Sequence, residues 1–108
     1  MLTIVKRDQL ISLEELVTLA CEGPARIYGI KSKGSIKPGM DADLVLVDLS
    51  KDVIFERSMV QSKCGWSPFE GETLNAPPVH VLLRGHPIIR EGVLAGAPCG
   101  APVRFEWK

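Results

Sequence analysis

Two histidines and two aspartates are the side chains best suited to acid–base or metal chemistry. His80 and His86 are six residues apart, and Asp41 and Asp43 are two apart. A zinc site needs three or four converging ligands, and no Asp, Glu or Cys stands at a ligand-like spacing from either histidine. The aspartates directly precede a β-rich run, where such residues commonly form turns. The pattern therefore favours structural roles for all four.

The nucleophilic side chains also lack a catalytic context. The three serines in glycine- or proline-containing segments have no G-x-S-x-G surroundings (Ser35, Ser62 and Ser67). The three cysteines are far apart and odd in number (Cys21, Cys64 and Cys99). Such usage argues against a disulfide framework and indicates a reducing, cytoplasmic setting. The sequence thus predicts no catalytic, cofactor-binding or metal residue.

Composition points to one globular unit. The 108 residues carry 13 basic and 13 acidic side chains, a formal net charge of +0 and 45% hydrophobic residues. A neutral chain gives no electrostatic reason to bind nucleic acid or an anionic membrane surface. No apolar run approaches the length of a membrane span, and no signal-peptide pattern is visible. We therefore expect neither a nucleic-acid nor a membrane partner.

The elements that would position these residues begin with a helix. Ser12 and Glu15 have the spacing of a capping box, and an apolar stripe follows at helical spacing. Gly23 is expected to end this helix. Pro24 then opens a short second turn, which Gly29 stops.

The rest of the chain is predicted to be mainly β. The run at residues 44–47 has no alternation, which predicts burial on both faces, and residues 53–57 form a second strand. Residues 62–78 are a loop, in which Trp66 and Phe69 are expected to anchor to a core.

A hairpin is expected to follow. Residues 79–83 alternate, which places His80 toward solvent. Gly85 and His86 would form a two-residue type II′ loop. Pro87 suggests that the return strand lies at an edge, and residues 103–107 form a last strand. The predicted fold class is therefore mainly β with an N-terminal α-helix, divided into helical residues 1–30 and β-rich residues 31–108.

Several segments together resemble the C-terminal region of the dihydroorotases, which are cyclic amidohydrolases of the amidohydrolase superfamily. Residues 23–30, G-P-A-R-I-Y-G-I, resemble N-P-A-R-I-F-G-L, with Gly23 where Asn is usual. Residues 33–48 are similar to K-G-x-I-x-x-G-x-D-A-D-L-V-L-x-D. Residues 62–71 resemble the dihydroorotase loop S-K-x-x-x-x-P-F-E-G, a loop that hydantoinases and allantoinases share in part.

This resemblance implies a metal-dependent (β/α)₈ barrel flanked by a small β-sandwich. Residues 1–30 would supply the last barrel helix and residues 31–108 part of the sandwich. The parent would use zinc to hydrolyse a cyclic amide C–N bond, interconverting dihydroorotate and carbamoyl-aspartate in pyrimidine biosynthesis. None of the family's metal ligands matches a position in this sequence.

We therefore expect a non-catalytic scaffold part of a larger enzyme, inactive alone. Its partner would be the missing N-terminal and barrel part of the parent, which would hold the zinc. The alternative is a stand-alone β-rich interaction or oligomerisation module without catalysis. In either case, open strand edges would favour self-association. Whether the parent's substrate is dihydroorotate, hydantoin or allantoin stays open.

Overall fold

The computed structural model describes residues 1–106, which form a helical segment followed by two small antiparallel sheets. The helical elements are α1 (Leu2–Lys6), α2 (Leu13–Val17), a π-helical turn (Thr18–Glu22) and α3 (Gly23–Ile27). A 3₁₀ turn spans Arg57–Met59. The strands are β1 (Leu44–Val47), β2 (Asp52–Ile54), β3 (Thr73–Asn75), β4 (Pro78–Leu83), β5 (His86–Arg90) and β6 (Val93–Leu94). This order confirms a mainly β chain with a helical N-terminal part.

The capping box at the start of α2 is confirmed. The Glu15 N–H donates to Ser12 Oγ at 3.1 Å, and the Ser12 N–H donates to Glu15 Oε2 at 2.7 Å. Two backbone donors that the first helical turn leaves without partners are thereby satisfied. The apolar stripe that follows buries Leu16.

Gly23 does not end this helix, so that prediction was wrong. The chain continues from α2 through the π-helical turn into α3, and Gly23 itself is helical with φ −60°. A proline ring collides with the carbonyl four residues earlier in an α-helix, and the wider π turn accommodates Pro24. A Cβ atom at position 23 would lie 2.7 Å from the Thr18 carbonyl oxygen. Close approach therefore explains the glycine.

The larger sheet has the order β1-β4-β5-β6, and β2 pairs with β3 in a separate sheet. In the β1–β4 ladder, Val45 lies opposite Val81 and Leu46 opposite His80. Helix α1 lies against β3, where Asn75 donates its N–H to Thr3 Oγ1 at 3.3 Å. The helical part and the small sheet are therefore in direct contact.

Two strand predictions needed correction. The strand predicted at 53–57 occupies Asp52–Ile54, and Arg57 begins the 3₁₀ turn. The loop predicted at 62–78 contains β3, which pairs with β2. Strand formation depends strongly on the neighbouring strand. The three residues of β3 form too short a pattern to predict a strand, or its pairing with β2, from the sequence.

The hairpin between β4 and β5 turns one residue earlier than predicted. Its loop is Arg84–Gly85, with φ of 49° and 80°, as in a type I′ turn rather than type II′. The return strand is also not an edge, because β6 pairs with Ile89 and Arg90. Pro87 lies outside that pairing, so its missing N–H does not interrupt the β5–β6 ladder.

The predicted last strand at 103–107 is present in part. Phe105 forms a β-bridge with Ile30, and the Lys31 N–H donates to the Arg104 carbonyl at 2.9 Å. Trp107 lies outside the described residues. The segment at 104–106 is thus fastened beside residues 29–31.

The chain is much more open than a compact domain of its size. Its accessible surface is 8429 Å², against about 5,900 Å² expected for a folded monomer of this mass. Its radius of gyration is 15.4 Å, against about 13 Å for a compact chain. Among the described residues, Leu16 and Ala76 are the buried apolar side chains. The fold therefore leaves an unusually large apolar surface uncovered.

This openness corrects two predictions about burial. In β1, Val45 is 62% exposed and Leu46 49% exposed, so this strand is not covered on both faces. Trp66 and Phe69 are also exposed rather than anchored to a core. Both predictions assumed a second packed layer, and these 106 residues do not provide it. Within the same residues, none of the helices is both long and apolar enough to cross a membrane.

Candidate functional site

The densest polar arrangement is an ionic cluster of Lys33, Asp41, Asp43 and Arg84. The Lys33 ammonium group donates to Asp41 Oδ2 at 2.8 Å and also to Asp43 Oδ2. The other Asp43 oxygen accepts the backbone N–H of Arg84 at 2.8 Å. The cluster joins the loop after α3, the entry to β1 and the β4–β5 turn.

The cluster also holds the strained turn and the C-terminal segment in place. Arg84 has a positive φ, which is costly for a residue with a side chain, and its bond to Asp43 helps fix that conformation. The Gly85 N–H donates to the Ala42 carbonyl at 3.0 Å, and the Arg84 guanidinium donates to the Cys99 carbonyl. Beside these groups lies a cleft of about 220 Å³ that also reaches Arg104.

Charge pairing in this cluster opposes a role in acid–base catalysis. Hydrogen bonds from Lys33 and then from the Arg84 N–H lower the pKa of Asp43 below its ordinary value. Bonds to Asp41 and Asp43 raise the pKa of Lys33. A general base works best with a pKa near the operating pH, and these shifts move both groups away from neutrality. The arrangement is suited to fastening segments together.

The contribution of Asp43 should depend on pH. A carboxylate whose pKa is lowered by folding stabilises the fold above its ordinary pKa of 3.8, and the contribution is lost as pH falls through the lower folded value. At pH 7 we expect Asp43→Asn to lower the free energy of unfolding by about 0.5–1 kcal/mol, because the pair is partly exposed to solvent.

Urea unfolding between pH 3 and pH 7 measures this effect. The difference between wild type and Asp43→Asn should shrink toward the acid end. Asp8→Asn is the control, because Asp8 pairs with the adjacent Arg7 at the surface and should change stability little. A difference for Asp43→Asn that stays constant down to pH 3 would contradict the account.

The histidines lie apart from this cluster. His80 was predicted to face solvent, but it is half-buried and lines an open groove of about 490 Å³ with apolar neighbours that include Leu46, Leu82 and Pro87. His86 is exposed at the start of β5. Across residues 1–106, no three His, Cys, Asp or Glu side chains converge in a way that could hold a metal ion. The groove is an apolar sheet surface rather than a polar site.

The cysteines remain free thiols. Cys21 and Cys64 are exposed and Cys99 is half-buried. Cys64 Sγ lies 3.0 Å from Ser62 Oγ and also contacts the Trp66 carbonyl. These contacts, that of Ser62 first, lower the pKa of the Cys64 thiol. No acid–base partner joins it among the contacts that the structure describes.

Sequence reasoning predicted turn or strand-entry roles for the two aspartates and missed their partners. In the structure they lie between a turn and the start of β1. Lys33 and the Arg84 N–H lie ten and 41 positions from Asp43. The available signal was the motif at 33–48, which contains the lysine and both aspartates. The contact of Lys33 with the two aspartates depends on the path of the loop between them. The spacing of these residues in the sequence does not reveal that path.

The sequence matches the model of the family described as "Amidohydrolase family" over residues 1–88. It is 38% identical over 109 residues to a dihydroorotase of Methanothermobacter thermautotrophicus, covering 100% of this chain and 25% of that protein. It is 37% identical over 95 residues to a D-hydantoinase of Rhizobium radiobacter, covering 87% of this chain and 21% of the relative.

Solved structures agree with these sequence relatives. A D-hydantoinase structure superposes with a TM-score of 0.78 at 34% identity, covering 88% of this chain and 21% of its own. The L-hydantoinase of Arthrobacter aurescens gives a TM-score of 0.73 at 36% identity, covering 80% of this chain and 19% of its own. The chain thus spans a quarter or less of the length of these relatives.

Proposed function

The chain belongs to the amidohydrolase family, and from that premise we propose that it is a non-catalytic scaffold part of a dihydroorotase-like cyclic amidohydrolase. The relatives of this chain include dihydroorotases and hydantoinases, and the chain spans a small part of each. Its role in the proposed enzyme is to supply packed surface to the rest of the protein.

The observation that carries this proposal is the uncovered apolar surface of the sheet. Leu46, Leu82 and Pro87 line an open groove on one face of the sheet. Val45 is exposed on the opposite face, because successive strand residues point to opposite faces, and Trp66 and Phe69 are exposed in the loop before β3. Apolar groups exposed together mark surfaces that other protein covers. Burying them against the remainder of an amidohydrolase would stabilise both parts.

The proposed reaction of the whole enzyme is hydrolysis of a cyclic amide C–N bond. Zinc would supply an activated water and polarise the carbonyl. Residues 1–106 do not fit that metal, so we assign them no chemical step. Dihydroorotate is the first candidate substrate, because the dihydroorotase match extends over the full chain. Hydantoin is the second candidate substrate, because the superposed structures are hydantoinases.

A cytoplasmic setting is part of the proposal, supported by three free cysteines.

An assay of the purified chain tests the inactivity that the proposal requires. With added zinc, we expect no ring opening of dihydroorotate or hydantoin above the rate without protein. The full-length dihydroorotase of Methanothermobacter thermautotrophicus, assayed in parallel, shows that the conditions detect turnover. Zinc-dependent turnover by this chain that His80→Ala or His86→Ala abolishes would overturn the proposal.

A further inference from the structure

We propose that residues 99–106 form a strap that holds the α3 end of the helical segment to the larger sheet, with the Arg84 side chain as its latch. Release of the latch lets the α3 end move away from the sheet while each part stays folded. Both ends of the strap bind residues of this chain, so its action does not depend on the proposed enzyme.

Packing of helices on strands does not fix the α3 end. Helix α1 lies against β3 of the small sheet, which fastens the first end of the helical segment. Among residues 1–106, no helix packs against a strand of the larger sheet. Between α3 and β1 the chain runs through residues 28–43 without a regular helix or strand. The position of α3 relative to the larger sheet therefore depends on contacts that loops make.

The end of the strap is fastened beside α3. The Lys31 N–H donates to the Arg104 carbonyl at 2.9 Å, and the Glu106 N–H donates to the Gly29 carbonyl at 2.7 Å. Position 29 needs a glycine, because a Cβ atom there would collide with the Glu106 carbonyl oxygen. The ion pair between Lys31 Nζ and Glu106 Oε1 lies at the surface and adds little. The backbone contacts therefore define where the end of the strap lies.

The start of the strap is fastened to the larger sheet by Arg84. Its guanidinium donates to the Cys99 carbonyl, and its backbone N–H donates to Asp43 at the entry to β1. Hydrogen bonds from a charged donor are stronger than those from a neutral one. With the contacts beside α3, these bonds close a ring around the cleft of about 220 Å³, which residues 101–104 help to line. Arg84 is therefore the residue at which the strap can be released.

Hydrogen exchange at the Lys31 and Glu106 amides tests the latch. Arg84→Gly removes the guanidinium but keeps the N–H that Asp43 accepts, and glycine suits the φ of 49° at this turn position. We expect both amides to exchange at least about tenfold faster in this variant, because the strap opens locally, while the central amides of β4 keep their protection. Arg104→Ala is the matched control. Arg104 contributes its backbone carbonyl to the strap, so this change should leave exchange at both amides unchanged.

Spin-label distances test whether the strap positions α3. The three native cysteines are replaced by serine, and labels are placed at Ile27→Cys in α3 and Val93→Cys in β6, both of which are exposed positions. We expect a narrow distance distribution with the strap in place. It should broaden with Arg84→Gly and after removal of residues 99–108. Labels at Val45→Cys and Val93→Cys, both in the larger sheet, are the control pair and should keep a narrow distribution. Circular dichroism verifies that each variant folds.

Two results would overturn the proposal. One is exchange of the Lys31 and Glu106 amides at the rate of an unfolded peptide in wild type. The other is a distance distribution between positions 27 and 93 that neither Arg84→Gly nor the truncation broadens. Broadening of the control pair would also contradict it, because the sheet itself would then depend on the strap. Hydrolase activity has no part in these readouts, so failure here is separate from failure of the proposed function.

Discussion

Gly34→Ala is expected to destabilise the chain by roughly 2–4 kcal/mol, from left-handed backbone strain together with overpacking. Gly34 has φ +89°, and a Cβ atom there would lie 2.5 Å from the Ala25 Cβ and 2.9 Å from the Cys21 carbonyl oxygen. Those neighbours belong to the π-helical turn and α3, and one of them is backbone. The loop after α3 can therefore lie this close to the helical segment only if residue 34 has no side chain.

Gly39→Ala separates the two contributions. Gly39 has φ +87°, but a Cβ atom there would meet nothing within 4 Å among the described residues. It therefore carries the backbone strain of about 1–2 kcal/mol without the collision. Urea unfolding of both variants, at one protein concentration, measures the difference. Equal losses would show that the loop does not approach the helix as described.

The second large effect is expected at Leu16, which is 7% exposed and is the largest buried side chain of the described residues. Leu16→Ala should lower the free energy of unfolding by about 2–5 kcal/mol, because it removes buried methyl groups and leaves a cavity. In a chain with so few buried apolar residues, that loss is expected to abolish the cooperative thermal transition.

Leu19→Ala is the matched control for Leu16→Ala. Leu19 lies in the same helical segment but is 61% exposed, so its removal should change stability by no more than about 0.5 kcal/mol. Thermal unfolding followed by circular dichroism compares the two variants. A loss at Leu19 as large as that at Leu16 would mean that the exposed face of the helix is already packed against something in solution.

Local signals predicted the elements whose causes are local. The Ser12 capping box, the end of the helical segment before Gly29 and the strand at Leu44–Val47 depend on a few neighbouring residues. The π-helical turn was missed because Gly23 followed by Pro24 is typical of a helix end. The structure instead forms a π-helical turn, in which the Gly23 N–H donates to the carbonyl five residues earlier, and this wider turn accommodates the proline.

The remaining errors involve distant residues. The β4–β5 turn is centred on Arg84 and Gly85, where Asp43, 41 positions away, accepts the Arg84 N–H. Asp43 is in turn held by Lys33 from a separate loop. Burial at Trp66 and in β1 was predicted on the assumption that a covering layer exists. Sequence patterns indicate that these surfaces are suited to burial, but they do not say which chain provides the cover.

A segment exchange tests most directly whether this chain supplies scaffold and no catalytic group. The 108 residues replace the matching segment in the dihydroorotase of Methanothermobacter thermautotrophicus and, separately, in the D-hydantoinase of Rhizobium radiobacter. Gly34→Ala in each hybrid is the control for correct packing, and metal content with circular dichroism identifies the folded hybrids.

We predict that each folded hybrid keeps the zinc-dependent activity of its recipient, dihydroorotate hydrolysis in one and hydantoin hydrolysis in the other. The Gly34→Ala hybrids should be less stable while keeping the same substrate. A folded, metal-loaded hybrid without activity, or a change of substrate that follows the exchanged segment, would contradict the account.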